Sequence, residues 1–433
     1  MSLSYIEFPA SDQDSDEYLV VHFGGPGSSA VSTAPNFLEF FPREVRERYT
    51  ILGIDEIGVA NSEPVECETP GLDASTTPEL NSAAEDALLD ALADDFEDCQ
   101  RGEPLVLEAS TERYARDIER LRVELGIPSL SFLGFSYGTQ VAMTYAALFP
   151  EQTDRIALDS VVDPRIAIST QSVAQVEARV DAYEAFFEWC DNQAAAGCSI
   201  TQEGLNTLAA QVATLGTQAE FDGFNFLVSS LNTEPVWESL GIIFSNVGSD
   251  FSVFADFAGA GGLGSFNFLA FIATSCMESP PATLDNLRDD RSAFVAGYSS
   301  DLNAELFFEP QFVVSYLCLA WEPRDVSIDW EASFAMIDDE IDVLIVGATG
   351  DTQTPVQWTE SVAASLPDAT RITIPEVSHA VGYQGVQDCV DSAISDFLLG
   401  ENVPDDECAK SVILEGDDDA LSVFPQLPRP SWL

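Results

Sequence analysis

Short apolar runs recur along the chain, each bounded by Gly, Pro or Asp. Runs of this length that are rich in Val, Ile, Leu and Phe are typical of strands buried on both faces of a parallel sheet. The runs that predict strands are Tyr5–Pro9, Tyr18–Phe23, Tyr49–Ile54, Leu130–Gly134, Arg155–Val162, Asp342–Gly347 and Arg371–Pro375.

Helical patterns separate many of these runs. In Thr111–Gly126 the apolar positions recur at helical spacing, and the pattern stops at a glycine. Gln140–Leu148 and Cys389–Leu399 have the same character. Strands that alternate with helices favour an α/β fold with a mostly parallel central sheet flanked by helices.

The alternation stops between about Arg165 and Arg324, a stretch that contains sixteen of the 28 phenylalanines. Helices and loops dominate there, as in Ser172–Cys190. We therefore predict a largely helical cap at residues 165–324, inserted between core segments at residues 1–164 and 325–433. Residues Thr69–Asp98 form a separate acidic segment that we interpret as a surface excursion with one helix.

The charge of the chain is extreme, with 74 acidic residues against 17 basic residues and a formal net charge of −57. Nucleic acid and anionic membrane surfaces would repel such a chain, so we exclude both as partners. We interpret the acid excess as adaptation to high salt, which screens self-repulsion. Acidic drift in a secreted protein is the alternative.

The eight cysteines are too many for an ordinary cytosolic enzyme, and they predict disulfides and an oxidising, secreted or periplasmic location. No Cys-x-x-Cys pair occurs and only two histidines are present, so we expect no metal site and no cofactor. The first residues, Met1–Ala10, lack the pattern of a signal peptide. The longest apolar stretch, around Phe266–Thr274, is too short to span a bilayer.

A G-x-S-x-G motif stands where a predicted strand gives way to a helical pattern, and it runs Gly134-Phe135-Ser136-Tyr137-Gly138. The glycines allow the sharp turn that exposes a nucleophilic serine between a strand and a helix. The motif alone is weak, but this context is the one that it requires. We therefore predict Ser136 as the nucleophile of an acyl-transfer reaction.

A serine nucleophile needs a base, and the chain offers only His22 and His379. In such enzymes the serine, the acid and the histidine follow one another along the chain, which selects His379. His22 is interpreted as a packed or loop-orienting side chain. Asp351 follows a strand and precedes His379, so it is the predicted orienting acid. Asp159 and Asp163 are the rivals for that role.

Two glycine-rich segments need opposite interpretations. Gly24-Gly25-Pro26-Gly27 follows a predicted strand and can aim an amide at a developing oxyanion. The predicted donors are the amides of Gly25 and Tyr137. Residues 259–264 match G-x-G-x-x-G, but no strand–helix–strand pattern surrounds them, so we reject dinucleotide binding there and expect a cap loop or hinge.

Taken together, these residues resemble the proline iminopeptidase and tripeptidyl aminopeptidase family of α/β-hydrolases. The resemblance covers most of the chain. It rests on the Gly-Gly-Pro-Gly loop, the elbow around Ser136, residues Leu158–Pro164, Asp351 with Thr354-Pro355, and the end of the chain from His379 to Cys408. It implies the disulfides Cys67–Cys99, Cys190–Cys198, Cys276–Cys318 and Cys389–Cys408; spacing alone allows 105 pairings.

Three departures from the family pattern concern the substrate more than hydrolysis. The family pattern Asp-x-Arg-Gly-x-Gly-x-Ser has lost its arginine at Ile57 and a glycine at Ala60. The glycines that flank the histidine in relatives are replaced by Ser378 and Ala380. Only one strand, Tyr5–Pro9, precedes Tyr18–Phe23, so we expect that the family's first strand is absent from this sequence.

The resemblance implies a serine hydrolase without metal or cofactor, acting as an aminopeptidase on short peptides. Relatives carry an acid two residues after the cysteine that corresponds to Cys276, which makes Glu278 a candidate for binding the substrate α-ammonium group. A carboxylesterase acting on small-molecule acyl esters is the alternative, since Ile57 and the apolar cap favour simple esters. A binding protein of this fold without activity is a remote third possibility, and the intact set of Ser136, Asp351 and His379 argues against it.

Overall fold

A computed structural model of the chain describes residues 2–63, 65, 82–192, 197–248, 250–257, 267–278, 283–298, 312–321, 328–403 and 408. Seven strands form one sheet in the order β1-β3-β2-β4-β5-β6-β7, in which only β1 is antiparallel to its neighbour. The strands are β1 Tyr5–Phe8, β2 Glu17–His22, β3 Tyr49–Ile54, β4 Leu130–Phe135, β5 Thr153–Asp159, β6 Asp342–Ala348 and β7 Thr370–Ile374.

Every predicted strand is present, and the main difference lies at the end of β5. The strand stops at Asp159 instead of continuing to Val162, because Ser160 takes a φ of 61° and turns the chain out of the sheet. The α/β prediction is confirmed.

The helices surround this sheet and cover its carboxyl edge. They are α1 Ala30–Phe37, α2 Arg43–Arg48, α3 Ala83–Gly102, α4 Thr111–Leu125, α5 Tyr137–Leu148, α6 Ile168–Asn192, α7 Gln202–Leu215, α8 Gln218–Ser229, α9 Trp237–Asn246, α10 Ser252–Ala255, α11 Phe268–Glu278, α12 Leu284–Tyr298, α13 Val313–Ala320, α14 Trp330–Glu340, α15 Val356–Ser365 and α16 Asp388–Leu398. Helix α4 ends where predicted, because Gly126 takes a left-handed φ of 71°.

Strands β4, β5 and β6 lie side by side and in register near their carboxyl ends. Phe135 is opposite Asp159, and Asp159 is opposite Val346. The residues that follow these three strands therefore emerge at the same edge of the sheet, which is where parallel α/β sheets carry their sites.

The buried apolar side chains form three clusters. Two of them cover the two faces of the sheet. The third joins the described helices between Ile168 and Ala320, and helix α3 adds Leu92 and Phe96 to it. The ring of Phe96 packs edge-on against Trp321 at 4.9 Å between centroids. The acidic segment is thus more than a surface excursion, since one face of its helix is part of this third apolar cluster.

Three of the four disulfides implied by the resemblance are present: Cys190–Cys198, Cys276–Cys318 and Cys389–Cys408, with S–S distances of 2.08, 2.04 and 2.05 Å. Cys99 is also in a disulfide, whereas Cys67, its expected partner, lies outside the described residues. The G-x-G-x-x-G segment at 259–264 lies outside them as well.

None of the helices in the described part of the chain is long and apolar enough to cross a bilayer. Within the same residues, no group of three or more His, Cys, Asp or Glu side chains is arranged to hold a metal ion.

Candidate active site

Ser136 lies at the tight turn between β4 and α5, with a φ of 54° and a ψ of −125°. A Cβ atom on Gly138 would lie 2.3 Å from the carbonyl oxygen of His22, and one on Gly134 would lie 2.2 Å from that of Gly138. The motif therefore needs both glycines for space. Ser136 is partly exposed while its neighbours in β4 and α5 are buried, so the turn presents the hydroxyl at the carboxyl edge of the sheet.

His379 and Asp351 are brought together although 28 residues separate them. The Nδ1 atom of the imidazole lies 2.9 Å from Oδ1 and 3.0 Å from Oδ2 of the carboxylate. The Asp351 side chain is 1% exposed and that of His379 is 22% exposed. A buried carboxylate in this position fixes the tautomer that leaves Nε2 free to accept a proton.

Each side chain of this pair stabilises the charged form of the other. Burial lowers the pKa of His379, but the Asp351 carboxylate and its hydrogen bond outweigh burial and raise it above the usual value. Burial raises the pKa of Asp351, but the imidazole and further hydrogen bonds outweigh it, so the net shift is downward. The carboxylate is also held by the amides of Gln353 and Thr354, each 2.9 Å from Oδ1, and by the Thr354 hydroxyl, 2.9 Å from Oδ2.

Asp159, weighed above as a rival acid, has a different role. Its carbonyl oxygen accepts the amide of Ser136 at 2.9 Å. Its carboxylate accepts the amides of Val381 at 3.2 Å and Gly382 at 2.6 Å, just after His379. One residue thus connects the serine turn to the histidine loop. Asp163, the second rival, is paired with Arg165 at 2.7 Å.

Ser160 completes this connection and was not recognised from sequence. Its hydroxyl accepts the amide of Ala380 at 2.8 Å and also interacts with Asp351. Asp159 and Ser160 directly follow a buried strand that lies between β4 and β6, and that position is the signal that could have identified them. In the described residues no hydrogen bond joins the Ser136 hydroxyl to the imidazole; such bonds are often long before substrate binds.

The glycine-rich loop after β2 lies against the serine. A Cβ atom on Gly24 would be 2.7 Å from the Cβ of Ser136, so only glycine allows this approach. The amide of Gly24 donates to Nδ1 of His22 at 3.2 Å, which leaves Gly25 as the next amide of the loop. Tyr137 is the first residue of α5, where the backbone N–H has no acceptor within the helix.

His22 orients this loop, as its sequence position suggested. Its ring is 3% exposed and packs edge-on against Tyr114 and Tyr137, at centroid distances of 5.7 and 5.5 Å. Its Nε2 lies 3.4 Å from Oε1 of the buried Glu56. Because Nδ1 accepts the amide of Gly24, the ring proton lies on Nε2 and faces Glu56. The His22 side chain thus contacts the glycine loop and Tyr137, the two segments that carry the candidate oxyanion donors.

Glu278 lies at the last turn of α11, next to the start of α5. Its Oε1 accepts the amide of Thr111 at 2.7 Å, and its Oε2 accepts from Nε2 of Gln140 at 3.2 Å. The Thr111 hydroxyl is 2.8 Å from the hydroxyl of Tyr137. Since Gln140 is one helical turn after Ser136, the carboxylate lies near the serine turn. Burial is the main cause that raises the pKa of Glu278 to about 7.

The lost glycines of the two family motifs coincide with left-handed backbone. Ala60 has a φ of 46° and Ala380 has a φ of 58°, a region that costs an L-residue about 1–2 kcal/mol. The backbone at Ala60 and Ala380 therefore has the left-handed conformation that glycine favours, although neither residue is a glycine. Ile57, at the position of the lost arginine, is 3% exposed.

Comparisons with known proteins agree with this geometry. The family described as alpha/beta hydrolase fold matches residues 18–196, and the family described as TAP-like protein matches residues 305–409. Serine protease Hip1 of Mycobacterium tuberculosis is 23% identical over 440 residues, covering 93% of this chain and 82% of Hip1.

Two further relatives match shorter parts. Tripeptidyl aminopeptidase of Streptomyces lividans is 31% identical over 161 residues, which cover 34% of this chain and 28% of that protein. Putative hydrolase YuaR of Escherichia coli is 28% identical over 193 residues, which cover 43% and 37% of the two chains.

The sheet, the serine turn and these matches define an α/β-hydrolase, and the chain belongs to that superfamily. The TAP-like match includes both Asp351 and His379. Within the superfamily, the chain is similar to tripeptidyl aminopeptidase and to TAP-like proteins, the similarity that its motifs indicated.

Proposed function

We propose that this chain is a serine hydrolase that works through an acyl-enzyme and releases residues from the amino ends of peptides. Ser136 is the nucleophile, His379 the general base and Asp351 the orienting acid. The observation that carries the proposal is the contact of His379 Nδ1 with both oxygens of buried Asp351, on the loops next to the strained serine turn.

The chemistry follows from these positions. Nε2 of His379 takes the proton of Ser136 as the hydroxyl attacks the carbonyl carbon, and the amides of Gly25 and Tyr137 donate to the oxyanion. The imidazolium then gives the proton to the leaving amine. Water then attacks the acyl carbonyl and gives a proton to the same imidazole. As the ester bond to Ser136 breaks, the imidazolium returns that proton to the serine oxygen and the acyl group leaves as a carboxylic acid.

An aminopeptidase must also recognise a free α-ammonium group. Glu278 is the carboxylate that we assign to this task, because it is held by Thr111 and Gln140 next to α5 and remains partly exposed. In a partly desolvated site its ion pair with an ammonium group is stronger than in water. The Cys276–Cys318 disulfide anchors the end of the helix that carries it.

A carboxylesterase is the second candidate, favoured by the apolar Ile57 where relatives have an arginine. The deciding experiment compares a tripeptidyl amide that has a free amine with its N-acylated twin and with short acyl esters. An aminopeptidase prefers the free amine, and Glu278→Gln abolishes that preference while ester turnover is retained. Turnover of esters with both amides inert would replace the peptidase by an esterase.

Ser136→Ala tests the mechanism itself. The variant should lose a factor on the order of 10⁴ to 10⁶ in kcat, the scale seen when a triad member is removed. A serine-directed phosphonate should label the wild type once and leave the variant unlabelled. A Ser136→Ala protein with wild-type activity would refute the assignment of the nucleophile.

We also propose that the protein acts outside the cytoplasm, in line with its disulfides, and that its acidic surface is an adaptation to high salt. The peptide or ester substrate is its small-molecule partner.

A further inference from the structure

Helix α6 contacts the loop that carries Asp351. It follows β5, and β5 lies between the strands that carry Ser136 and lead to Asp351. Seven residues into the helix, Nε2 of Gln175 donates to the carbonyl oxygen of Gln353 at 2.7 Å, two residues after Asp351. The helix therefore contacts the loop of the catalytic acid.

Arg179 lies one helical turn beyond Gln175, about 6 Å farther along the axis. It falls on a stripe of α6 with heptad-like spacing, whose other members are buried: Ser172, Val176, Tyr183, Phe186 and Cys190. The hydroxyls of Ser172 and Tyr183 bond to Ser315 and to the carbonyl of Val228, within the cap. A side chain on this stripe points to the interior of the protein.

The guanidinium of Arg179 has no anionic partner in the described part of the chain. Most of the arginines there form ion pairs with carboxylates; Arg46 is another without one, and it is exposed to solvent. No hydrogen bond from the Arg179 side chain occurs among the described residues either. Tyr183 cannot neutralise it, because burial raises the pKa of that hydroxyl to about 12.

An unpaired cation that faces the interior is costly, because burial removes its hydration and nothing replaces it. Burial indeed lowers the pKa of Arg179, yet its side chain is still partly exposed. Glu278 and His379 show the same combination of desolvation and partial exposure. Arg179 is thus neither fully buried nor fully exposed, on the inward stripe of the helix that contacts the Asp351 loop.

We propose that Arg179 is a substrate-binding residue that receives a carboxylate of the peptide. This inference rests on the proposed function and extends it, since Glu278 would take the ammonium group and Arg179 an acidic group farther along the substrate. A guanidinium can bind both oxygens of a carboxylate at once. The carboxylate is either an acidic side chain or the free carboxyl terminus of a short peptide.

Paired substrates distinguish these two sources. Tripeptidyl p-nitroanilides with Glu or Gln at each position in turn test the side chain, and tetra-alanine against its carboxyl-terminal amide tests the terminus. One set should show kcat/KM about tenfold to a hundredfold higher for the carboxylate member, the effect of one charge-assisted, desolvated pair. All comparisons are made at one salt concentration, because screening changes this difference.

Arg179→Met should remove that ratio and leave kcat/KM for the neutral member within about twofold of wild type. Arg179→Lys should keep part of the ratio, and Arg43→Met, at an exposed ion pair, should keep all of it. The melting temperature of Arg179→Met without substrate should be equal to or above that of wild type, because the variant removes a desolvated charge that has no anionic partner among the described residues. A residue with only a structural role would lower it.

A wild-type enzyme that shows no preference in either set, or a preference that survives Arg179→Met, overturns the inference. Binding separates its failure from that of the proposed function. If no peptide is cleaved, calorimetry of Ser136→Ala with the same peptides still decides the matter. Tighter binding of the carboxylate member that disappears in Ser136→Ala/Arg179→Met supports the site without peptidase activity, and equal binding of both members refutes it.

Discussion

The proposed role of Glu278 makes a quantitative prediction about pH. The carboxylate binds an ammonium group only when it is ionised, and its pKa is raised to about 7 by burial, with further contributions from Glu112 and Glu56. With that pKa, about a tenth of the free enzyme carries the charge at pH 6 and about nine tenths at pH 8. Glu278 alone should therefore change kcat/KM for free-amine substrates by about tenfold over this range.

His379 titrates in the same direction, because its neutral form is the base and its pKa is raised by Asp351. The assay must therefore separate the two groups. The ratio of kcat/KM for a free-amine tripeptidyl amide to that for its N-acylated twin cancels His379, since both substrates need the same base. Measured from pH 5.5 to 7.5, below the pKa of about 8 of the substrate amine, the ratio should rise with pH.

Two variants make this test specific. Glu278→Gln should give a flat ratio, and Glu112→Gln should shift the rise to lower pH, because a neighbouring negative charge is removed. A ratio that is flat in wild type, or that rises equally in Glu278→Gln, would refute the assignment.

Stability gives a second readout of the same carboxyl group. Its pKa is higher in the folded chain than the ordinary value of 4.5. Between pH 4.5 and about 7 the folded protein binds more protons than the unfolded chain. The free energy of unfolding therefore falls as pH rises through this window. Glu278→Gln should lack that part of the decline, as urea titrations at several pH values would show.

Three further predictions concern the acid, the disulfides and the salt response. Asp351→Asn should lower kcat by a factor on the order of 10⁴, whereas Asp163→Asn should have little effect on kcat because Arg165 occupies that carboxylate; the reverse result in steady-state assays would move the acid. Replacing both Cys276 and Cys318 by serine should reduce the preference for free amines more than ester turnover, and equal losses would contradict the anchoring role. The melting temperature should rise clearly between dilute buffer and molar salt, and a flat calorimetric response would contradict salt adaptation.

Sequence patterns predicted the sheet well because its central strands are buried on both faces. Such strands are continuous apolar runs, and each one appears within a few residues of its predicted bounds. The end of β5 was missed because Ser160 takes a left-handed conformation that its residue type does not announce. The packing of α3 into the cap was missed as well, since an acidic helix with one apolar face resembles a surface helix until its partners are known.

The residues of the candidate site also fall into two groups, those that the sequence predicted and those that it did not. Ser136, Asp351 and His379 were predicted from motif context and chain order, and the structure brings the side chains of Asp351 and His379 into contact. The roles of Asp159 and Ser160 were not predicted, because these residues act through hydrogen bonds to the amides of the histidine loop, and backbone donors leave no trace in side-chain chemistry. The role that we propose for Arg179 was not predicted either, since a single arginine on a helix does not reveal whether a carboxylate faces it.

Helix α11 connects two parts of the site. Just before it, Asn267 donates its amide to the carbonyl of Gly27 in the glycine loop at 2.8 Å, and its side-chain amide donates to Gly58 at 2.8 Å and to Val65 at 3.1 Å. At its other end Glu278 is held by Thr111. The proposed oxyanion loop and the proposed amine site are thus both held by this one helix.

Local opening of the cap would therefore disturb both ends of the site together. Cooperative units of a protein open at different free energies. The proposed cap can therefore separate from the sheet at a lower denaturant concentration than the one that unfolds the sheet. The enzyme should then lose activity at a denaturant concentration where the far-ultraviolet signal of the sheet is still intact. Inactivation of this protein would then measure how strongly the helices between Ile168 and Ala320 bind to the sheet, and not the stability of the sheet itself.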